Sequence, residues 1–133
     1  MTNFNWPIRV YYEDTDSGGV VYYANYLKFM ERARTEWLRS YGLEQDDLRD
    51  QFGIIFAVRQ VQIDYCLPAK FNDELVVTAK VNKKGKASIL FEQSITRQSE
   101  ILTTAKIKIA CLDVDSFKPV AMPAEIYKKL TGE

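Results

Sequence analysis

The chain has 133 residues, of which 47% are hydrophobic and 27% charged, and these values predict one globular domain with a real hydrophobic core. Because 18 basic residues balance 18 acidic ones, the composition argues against a general surface for nucleic acid or anionic membranes. The chain contains no histidine, which excludes Ser-His-Asp and Cys-His nucleophilic sites, histidine general bases and almost all histidine-based metal sites. If the protein is an enzyme, carboxylates must carry its acid-base chemistry.

The first predicted element is a strand, because apolar residues alternate with other residues from Trp6 to Glu13. Asp14–Gly19 interrupts this alternation with two aspartates, a serine and two glycines, which favour turns. The apolar period then changes to steps of three and four, which predicts one long amphipathic helix of about 20 residues, from about Tyr22 to Tyr41. Gly42 is a natural residue just past its end.

The second half of the chain is predicted to be mostly strands. Leu43–Gln51 is expected to add a short helical segment, and alternation then predicts strands at residues 55–65, 75–81, 87–95 and 105–111. We place the turn between the third and fourth strands at Asn82–Lys86, a loop at residues 113–123 and a short helix at Ala124–Leu130. One long helix and about five strands predict an α+β domain in which an antiparallel sheet wraps the helix. Such a sheet leaves its edges and its other face uncovered, so we expect at least a dimer.

The ends of the chain and its cysteines suggest where the protein is located. No segment reaches the roughly 18 apolar residues that span a bilayer. Met1–Pro7 lacks the basic region and apolar run of a secretion signal. We therefore expect a cytoplasmic protein. Cys66 and Cys111 lie far apart without a Cys-x-x-Cys pair, so we expect two reduced thiols in or near the core rather than a disulfide or a metal site.

A family resemblance rests on Tyr12-Glu-Asp-Thr-Asp16-Ser-Gly-Gly-Val-Val-Tyr-Tyr23-Ala-Asn-Tyr26 and on Glu31-Arg-Ala-Arg34. These residues resemble the signature of the 4-hydroxybenzoyl-CoA thioesterase family, and within it most resemble the acyl-CoA thioesterases associated with the Tol-Pal system. The similarity continues through Tyr65-x-x-Pro68-Ala69, Asp73-x-Leu75 and Lys118-Pro119-x-x-x-Pro123, and so covers nearly the whole chain. It implies a single hot-dog domain over residues 1–133.

The resemblance also implies roles for residues of the predicted turn. Asp16 takes the catalytic position, as nucleophile or as general base, in the hydrolysis of an acyl thioester. The backbone N–H of Tyr23, at the helix start, polarises the thioester carbonyl, while Gly18 and Gly19 let the chain pass close to the substrate. Tol-Pal-associated members typically carry histidine at the position of Tyr23, so the identity of the acyl group stays open.

Glu31 and Asp14 are two other carboxylates close to Asp16 in the sequence that could take the catalytic role. Glu31 is a rival, because other hot-dog thioesterases carry their acid on the central helix, but Arg34 and Thr35 one turn away favour a structural or surface pair. Asp14 is interpreted as structural, orienting the turn. Asp16 itself has a simpler interpretation as a turn-forming residue that bonds its own backbone.

The resemblance places the nucleotide phosphates of coenzyme A near a lysine-rich hairpin tip that includes Lys83. Lys84, Lys86 and Ser88 are the candidate ligands, and a merely solvated tip is the alternative. We expect no metal and no cofactor, since coenzyme A or phosphopantetheine is part of the substrate. The expected partners are an acyl-CoA or an acyl carrier protein, and copies of the same chain in a homotetramer built as a dimer of dimers.

Two other functions are compared with thioester hydrolysis. A hot-dog dehydratase or hydratase resembles a histidine-dependent pattern, which a chain without histidine cannot supply. A non-catalytic hot-dog module that binds acyl thioesters or proteins is the remaining alternative, and an activity assay separates it from an enzyme.

Overall fold

A computed structural model describes residues 4–131, so Met1–Asn3 of the N-terminal segment considered above lie outside the described residues. The elements are β1 (Phe4–Arg9), α1 (Asn25–Arg39), α2 (Gln45–Phe52), β2 (Ile54–Tyr65), β3 (Glu74–Lys84), β4 (Ser88–Arg97), β5 (Glu100–Asp113) and α3 (Ala124–Thr131). A short 3-10 helix at Tyr12–Asp14 follows β1. The predicted α+β class is confirmed, with α1 as the one long helix.

All five strands form one antiparallel sheet in the order β1-β3-β4-β5-β2, so β1 and β2 are its edges. Arg9 at the end of β1 lies opposite Glu74 at the start of β3. The chain that follows β1 is therefore at the end of the sheet where β3 begins. Lys84 marks the other end, about 33 Å away at the usual rise of a strand.

The core lies between α1 and one face of the sheet. Alternate residues of β3 and β4 are buried on that face, as their period of two requires. From α1, Phe29, Met30 and Ala33 are fully buried. Trp37 packs edge-on against Phe91 of β4, with 5.0 Å between the ring centroids. The predicted apolar stripe of the long helix is therefore what holds the helix against the sheet.

The structure corrects the bounds of four predicted elements, of which the fifth strand covers Glu100–Asp113 rather than residues 105–111. The long helix begins at Asn25 rather than near Tyr22, because the Tyr22 N–H donates to the Asp14 carbonyl in the preceding turn (2.9 Å). It ends at Arg39, and Gly42 with φ of +77° lies in the turn that follows. The first strand ends at Arg9, where the chain leaves the sheet for the 3-10 helix. The third strand continues through a bulge to residue 84, so the turn after it is only residues 85–87.

Both cysteines are free thiols, as predicted, but only Cys111 is buried in the core, whereas Cys66 is exposed beyond the end of β2. Burial raises the pKa of the Cys111 thiol to about 11. Among the described helices, none combines the length and the apolar character that a membrane span requires.

Candidate active site

Asp16 lies in a tight turn that we call the acidic turn, residues 14–21. The turn is closed by an antiparallel bridge between Thr15 and Val21. Inside that bridge, the Asp16 N–H donates to the Val20 carbonyl (2.9 Å) and the Gly19 N–H donates to the Asp16 carbonyl (3.0 Å). The backbone on both sides of Asp16 is therefore fixed by hydrogen bonds.

The Asp16 carboxylate is exposed and only half engaged. Its Oδ1 accepts the Gly18 N–H at 2.8 Å, so the simpler interpretation as a turn-forming residue describes one of its two oxygens. Within residues 4–131, Oδ2 accepts no hydrogen bond and remains available to a substrate or a water molecule. A Cβ at position 18 would lie 3.2 Å from Oδ1, and Gly19 has φ of +79°, so both glycines suit this turn.

Asp14 joins the acidic turn to the start of α1. Its Oδ2 accepts the Tyr11 N–H (2.8 Å), which holds the 3-10 helix before the turn. Its carbonyl accepts the Tyr22 N–H and the Asn25 side-chain amide, both at 2.9 Å. These contacts agree with the interpretation of Asp14 as a structural residue.

The backbone N–H of Tyr23 points away from α1. The carbonyl of the same peptide unit, that of Tyr22, accepts the Asn25 N–H at 2.8 Å. In a trans peptide the N–H and C=O point in opposite directions, so the Tyr23 N–H faces out from the helix start. It donates to no acceptor within the described part of the chain. Tyr23 precedes the helix rather than beginning it, since Ala24 is the N-cap.

The loop at residues 67–73 is hydrogen-bonded to the end of the acidic turn and to α1. The Val21 N–H donates to the Ala69 carbonyl (2.9 Å), and the Ala69 N–H donates to the Tyr26 hydroxyl (3.0 Å). Arg97 of β4 fixes the same loop through Asp73 Oδ2 (2.7 Å). Partial burial acts to raise the pKa of Asp73, but the bonds from Arg97 and from the Lys70 N–H together lower it.

Glu31, the rival carboxylate, is separate from the acidic turn. It lies six residues beyond the start of α1, about 9 Å along the helix axis. Its carboxylate accepts the Thr35 hydroxyl, and it lines a pocket of about 130 Å³ with Arg34 and Trp37. Burial lowers the pKa of Arg34 to about 10, although the charge of Glu31 opposes this shift. These contacts agree with a structural interpretation of Glu31.

The structure does not bring Lys84, Lys86 and Ser88 together. Lys84 is opposite Ile89 in the sheet and so shares its core-facing side, whereas the neighbouring Ser88 faces the other side. Lys86 is exposed in the turn between them. All three lie at the end of β3 that is remote from Asp16.

Ser88 instead lines a groove on the outer face of the sheet with three lysines, Lys83, Lys106 and Lys108. Sequence reasoning named Lys83 only as part of the tip and missed the two lysines of β5. The signal was present, because residues 106 and 108 are two apart in a predicted strand and so share a face. Their meeting with Ser88 depended on the register between β4 and β5.

Residues 18–104 match the model of the Thioesterase superfamily. The chain belongs to this superfamily. The acyl-CoA thioesterase YbgC of Haemophilus influenzae is 49% identical over 123 residues, which are 92% of this chain and 90% of that protein. The acyl-CoA thioester hydrolase YbgC of Escherichia coli O157:H7 is 40% identical over 126 residues, 94% of this chain and 93% of that protein.

A solved structure shows the same fold. The probable thioesterase of Bartonella henselae is 34% identical, with a TM-score of 0.88 over 92% of this chain and 100% of that one. The predicted hot-dog fold is thereby confirmed, and so is the resemblance to acyl-CoA thioesterases.

Proposed function

We propose that the protein hydrolyses acyl-CoA thioesters to a free acid and coenzyme A at the acidic turn. The observation that carries this proposal is a pair of free groups: one oxygen of the Asp16 carboxylate in the acidic turn, and the outward-pointing N–H of Tyr23 two residues after that turn. A thioester carbonyl needs these two functions, an oxygen base or nucleophile and a donor for the oxyanion. The names of the YbgC relatives support the same reaction.

The reaction has two routes that use the same groups. In one route Asp16 Oδ2 attacks the carbonyl carbon, the thiolate leaves, and water hydrolyses the resulting anhydride to acid and free Asp16. In the other route Asp16 takes a proton from a water molecule, which attacks the carbonyl carbon, and the proton then passes to the leaving thiolate. In both routes the Tyr23 N–H stabilises the oxyanion. The hydrogen bonds of Tyr22 with Asp14 and Asn25 keep this donor fixed.

The lysine tip contributes to this site only through a second copy of the chain. A pantetheine arm does not cover the roughly 33 Å that separate the two ends of β3 in one subunit. The edge strand β2 exposes apolar side chains, including Val58 and Val61, and no strand from residues 4–131 pairs with its outer edge. Antiparallel pairing of β2 with its copy would place Tyr65 near the partner's Ile54 end, where the partner's β3 ends. We therefore propose a dimer through β2 whose sites each combine Asp16 with lysines of the partner subunit.

Several finer points are part of this proposal. The resemblance favours two such dimers in a homotetramer, and an acyl-CoA substrate is consistent with the cytoplasmic location that we propose. An acyl carrier protein is the alternative acyl donor, since its phosphopantetheine presents the same thioester with less need for phosphate contacts. The residues that hold the coenzyme A phosphates are either Lys84 on the core-facing side with Lys86 of the exposed turn, or Lys83 with Ser88 on the outer side.

The decisive experiment measures thiol release from acyl-CoAs, from acetyl to palmitoyl and including benzoyl, for the wild type and Asp16→Asn. We expect at least a hundredfold loss of kcat in Asp16→Asn, roughly the scale of removing a catalytic group. Asp115→Asn is the matched control, since Asp115 is an exposed aspartate in the loop after β5, and it should keep wild-type activity.

Other outcomes distinguish the alternatives. If wild type and Asp16→Asn are equally active, Asp16 is not the catalytic group, and Glu31→Gln is tested next. If both are inert on coenzyme A esters but the wild type cleaves acyl carrier protein thioesters, the donor is the carrier. Inactivity on every thioester, with binding retained, would establish the non-catalytic module.

A further inference from the structure

Tyr65 contacts the start of α1 although it lies 42 residues from Tyr23 in the sequence. It is the last residue of the edge strand β2, and its hydroxyl donates to the Tyr23 carbonyl at 3.0 Å. Its ring packs edge-on against the rings of Tyr23 and Tyr26, with centroid distances of 6.2 and 5.3 Å. Burial raises the pKa of Tyr65, as do Tyr23 and Tyr26, so the hydroxyl keeps the proton that it donates.

The Tyr65 hydroxyl gives the Tyr23 carbonyl the hydrogen-bond donor that the backbone of α1 does not provide. In a regular α-helix the Tyr23 carbonyl would accept the N–H of Leu27, four residues on. Here the Leu27 N–H donates to the Ala24 carbonyl instead, at 3.2 Å. Within residues 4–131, the hydroxyl of Tyr65 is the one group that donates to the Tyr23 carbonyl. The position of that carbonyl therefore depends on a side chain from another element.

Two fixed peptide planes meet at Tyr23. The plane before it is held by the bond from the Asn25 N–H to the Tyr22 carbonyl, and the plane after it by the Tyr65 hydroxyl. Because the φ and ψ angles of Tyr23 are the rotations that relate these planes, the two bonds together fix the direction of the Tyr23 and Ala24 N–H groups. Neither N–H donates to an acceptor in the described residues. A donor that is fixed before the reaction stabilises an oxyanion without reorganisation.

We propose that Tyr65 is a positioning residue for thioester hydrolysis. Its hydroxyl holds the Tyr23 carbonyl and thereby aims the Ala24 N–H of the same peptide unit at the substrate carbonyl, beside the Tyr23 N–H, whose peptide unit is held through the Tyr22 carbonyl. This inference rests on the proposed function of the acidic turn. Tyr65 itself touches neither the reacting carbonyl nor the thiol; it acts through the backbone of Tyr23.

The test is Tyr65→Phe, which keeps the ring and its edge contacts and removes only the hydroxyl. Loss of one hydrogen bond that orients the donor should lower kcat about five- to tenfold with KM within about twofold, since the effect is confined to the transition state. Tyr41→Phe is the control, because the Tyr41 ring also packs edge-on against an aromatic ring, that of Trp37, and it should match the wild type.

Each outcome decides between roles, with Asp16→Asn measured in parallel. Wild-type kcat in Tyr65→Phe, while Asp16→Asn is inactive, overturns the positioning role and leaves the proposed function intact. A raised KM with unchanged kcat overturns it in favour of substrate contact. A fall in kcat accompanied by a thermal unfolding midpoint several degrees below that of the wild type overturns it in favour of a structural role. An inactive wild type overturns the proposed function and this inference with it.

Discussion

The two ends of the sheet are built in different ways. At the acidic turn and the start of α1, groups from four segments are joined by hydrogen bonds of 2.8–3.0 Å. The groups left without a partner within residues 4–131 include an Asp16 oxygen and the N–H groups of Tyr23 and Ala24. At the lysine tip, Gly85 N–H donates to Ser88 and the Met122 N–H donates to Lys86, while no ion pair of the described residues involves the three tip lysines. The acidic turn holds backbone groups in fixed positions, whereas the lysine tip presents long cationic side chains.

The difference fits what the proposed function requires of each end. A developing oxyanion is stabilised only by donors that already point at it, so the acidic turn needs a rigid backbone. A phosphate is attracted by charge over several ångströms, and a lysine ammonium acts as a point charge on a flexible stem. We therefore expect substitutions at the turn to lower kcat and substitutions at the tip to raise KM.

Among the variants that test this comparison, the largest effect is expected from removing the lysines that the partner subunit contributes to the proposed shared site. Lys83, Lys84 and Lys86 changed together to Ala should raise KM for acyl-CoA tenfold or more, since hydrogen bonds to charged groups contribute about 1.5–3 kcal/mol each. Co-expression of this variant with Asp16→Asn should restore about a quarter of wild-type activity, because half of the two-fold dimers are mixed and have one intact site. Activity no higher than the sum of the two parents would contradict a site shared between subunits.

A smaller effect is expected at Asp14, which frames the turn without contacting the substrate. Asp14→Ala removes the acceptor of the Tyr11 N–H, so kcat should fall about tenfold and stability by about 1 kcal/mol. Steady-state kinetics and urea unfolding measure the two quantities. The control is Glu13→Ala, an exposed neighbour that should leave both unchanged. Equal losses of kcat and stability in the two variants would show that the negative charge near the turn matters, rather than the hydrogen bond that Asp14 accepts.

The ion pair beneath the turn should make stability depend on pH. The folded-state pKa of Asp73 is below its ordinary value of 3.8, so its stabilisation is present above that value and is lost as the pH falls through the lower, folded-state pKa. Asp73→Asn should therefore cost about 0.5 to 1 kcal/mol at pH 7 and progressively less as the pH falls below 3.8. Urea unfolding of both proteins from pH 7 to pH 2 measures this difference, and parallel curves would contradict the role of Asp73.

The smallest expected effect is a difference in reactivity between the thiols of Cys66 and Cys111, which leaves the activity unchanged. Cys66 is exposed near the acidic turn, and Cys111 is buried with its pKa raised to about 11. A thiol-specific chromogenic reagent at pH 8 should therefore titrate one thiol in the native protein and two in denaturant. Cys66→Ser should abolish the native reaction, and two native thiols would show that the sheet opens around Cys111.

Much of the fold could be predicted because its signals are local. The alternation in β2 predicted that strand to within one residue, and the apolar steps of three and four predicted the face of α1 that packs on the sheet. The start of α1 was misplaced, because Tyr22 continues the apolar pattern while its N–H is bonded to Asp14. The length of β3 was underestimated, since Asn82, Lys83 and Lys84 have the composition of a turn. Asn82 lies instead in a bulge, and Lys83 and Lys84 pair with β4.

The sequence by itself determined the α+β class, the absence of histidine chemistry and the turn that holds Asp16, since all three depend on residue types and their spacing. Only the tertiary structure decided that the Tyr23 N–H points away from the helix, that Tyr65 holds its carbonyl and that Lys84 and Ser88 face opposite sides. These features depend on strand order and register, which bring together residues that are tens of positions apart. The free energy of packing selects that arrangement, and no local pattern encodes it.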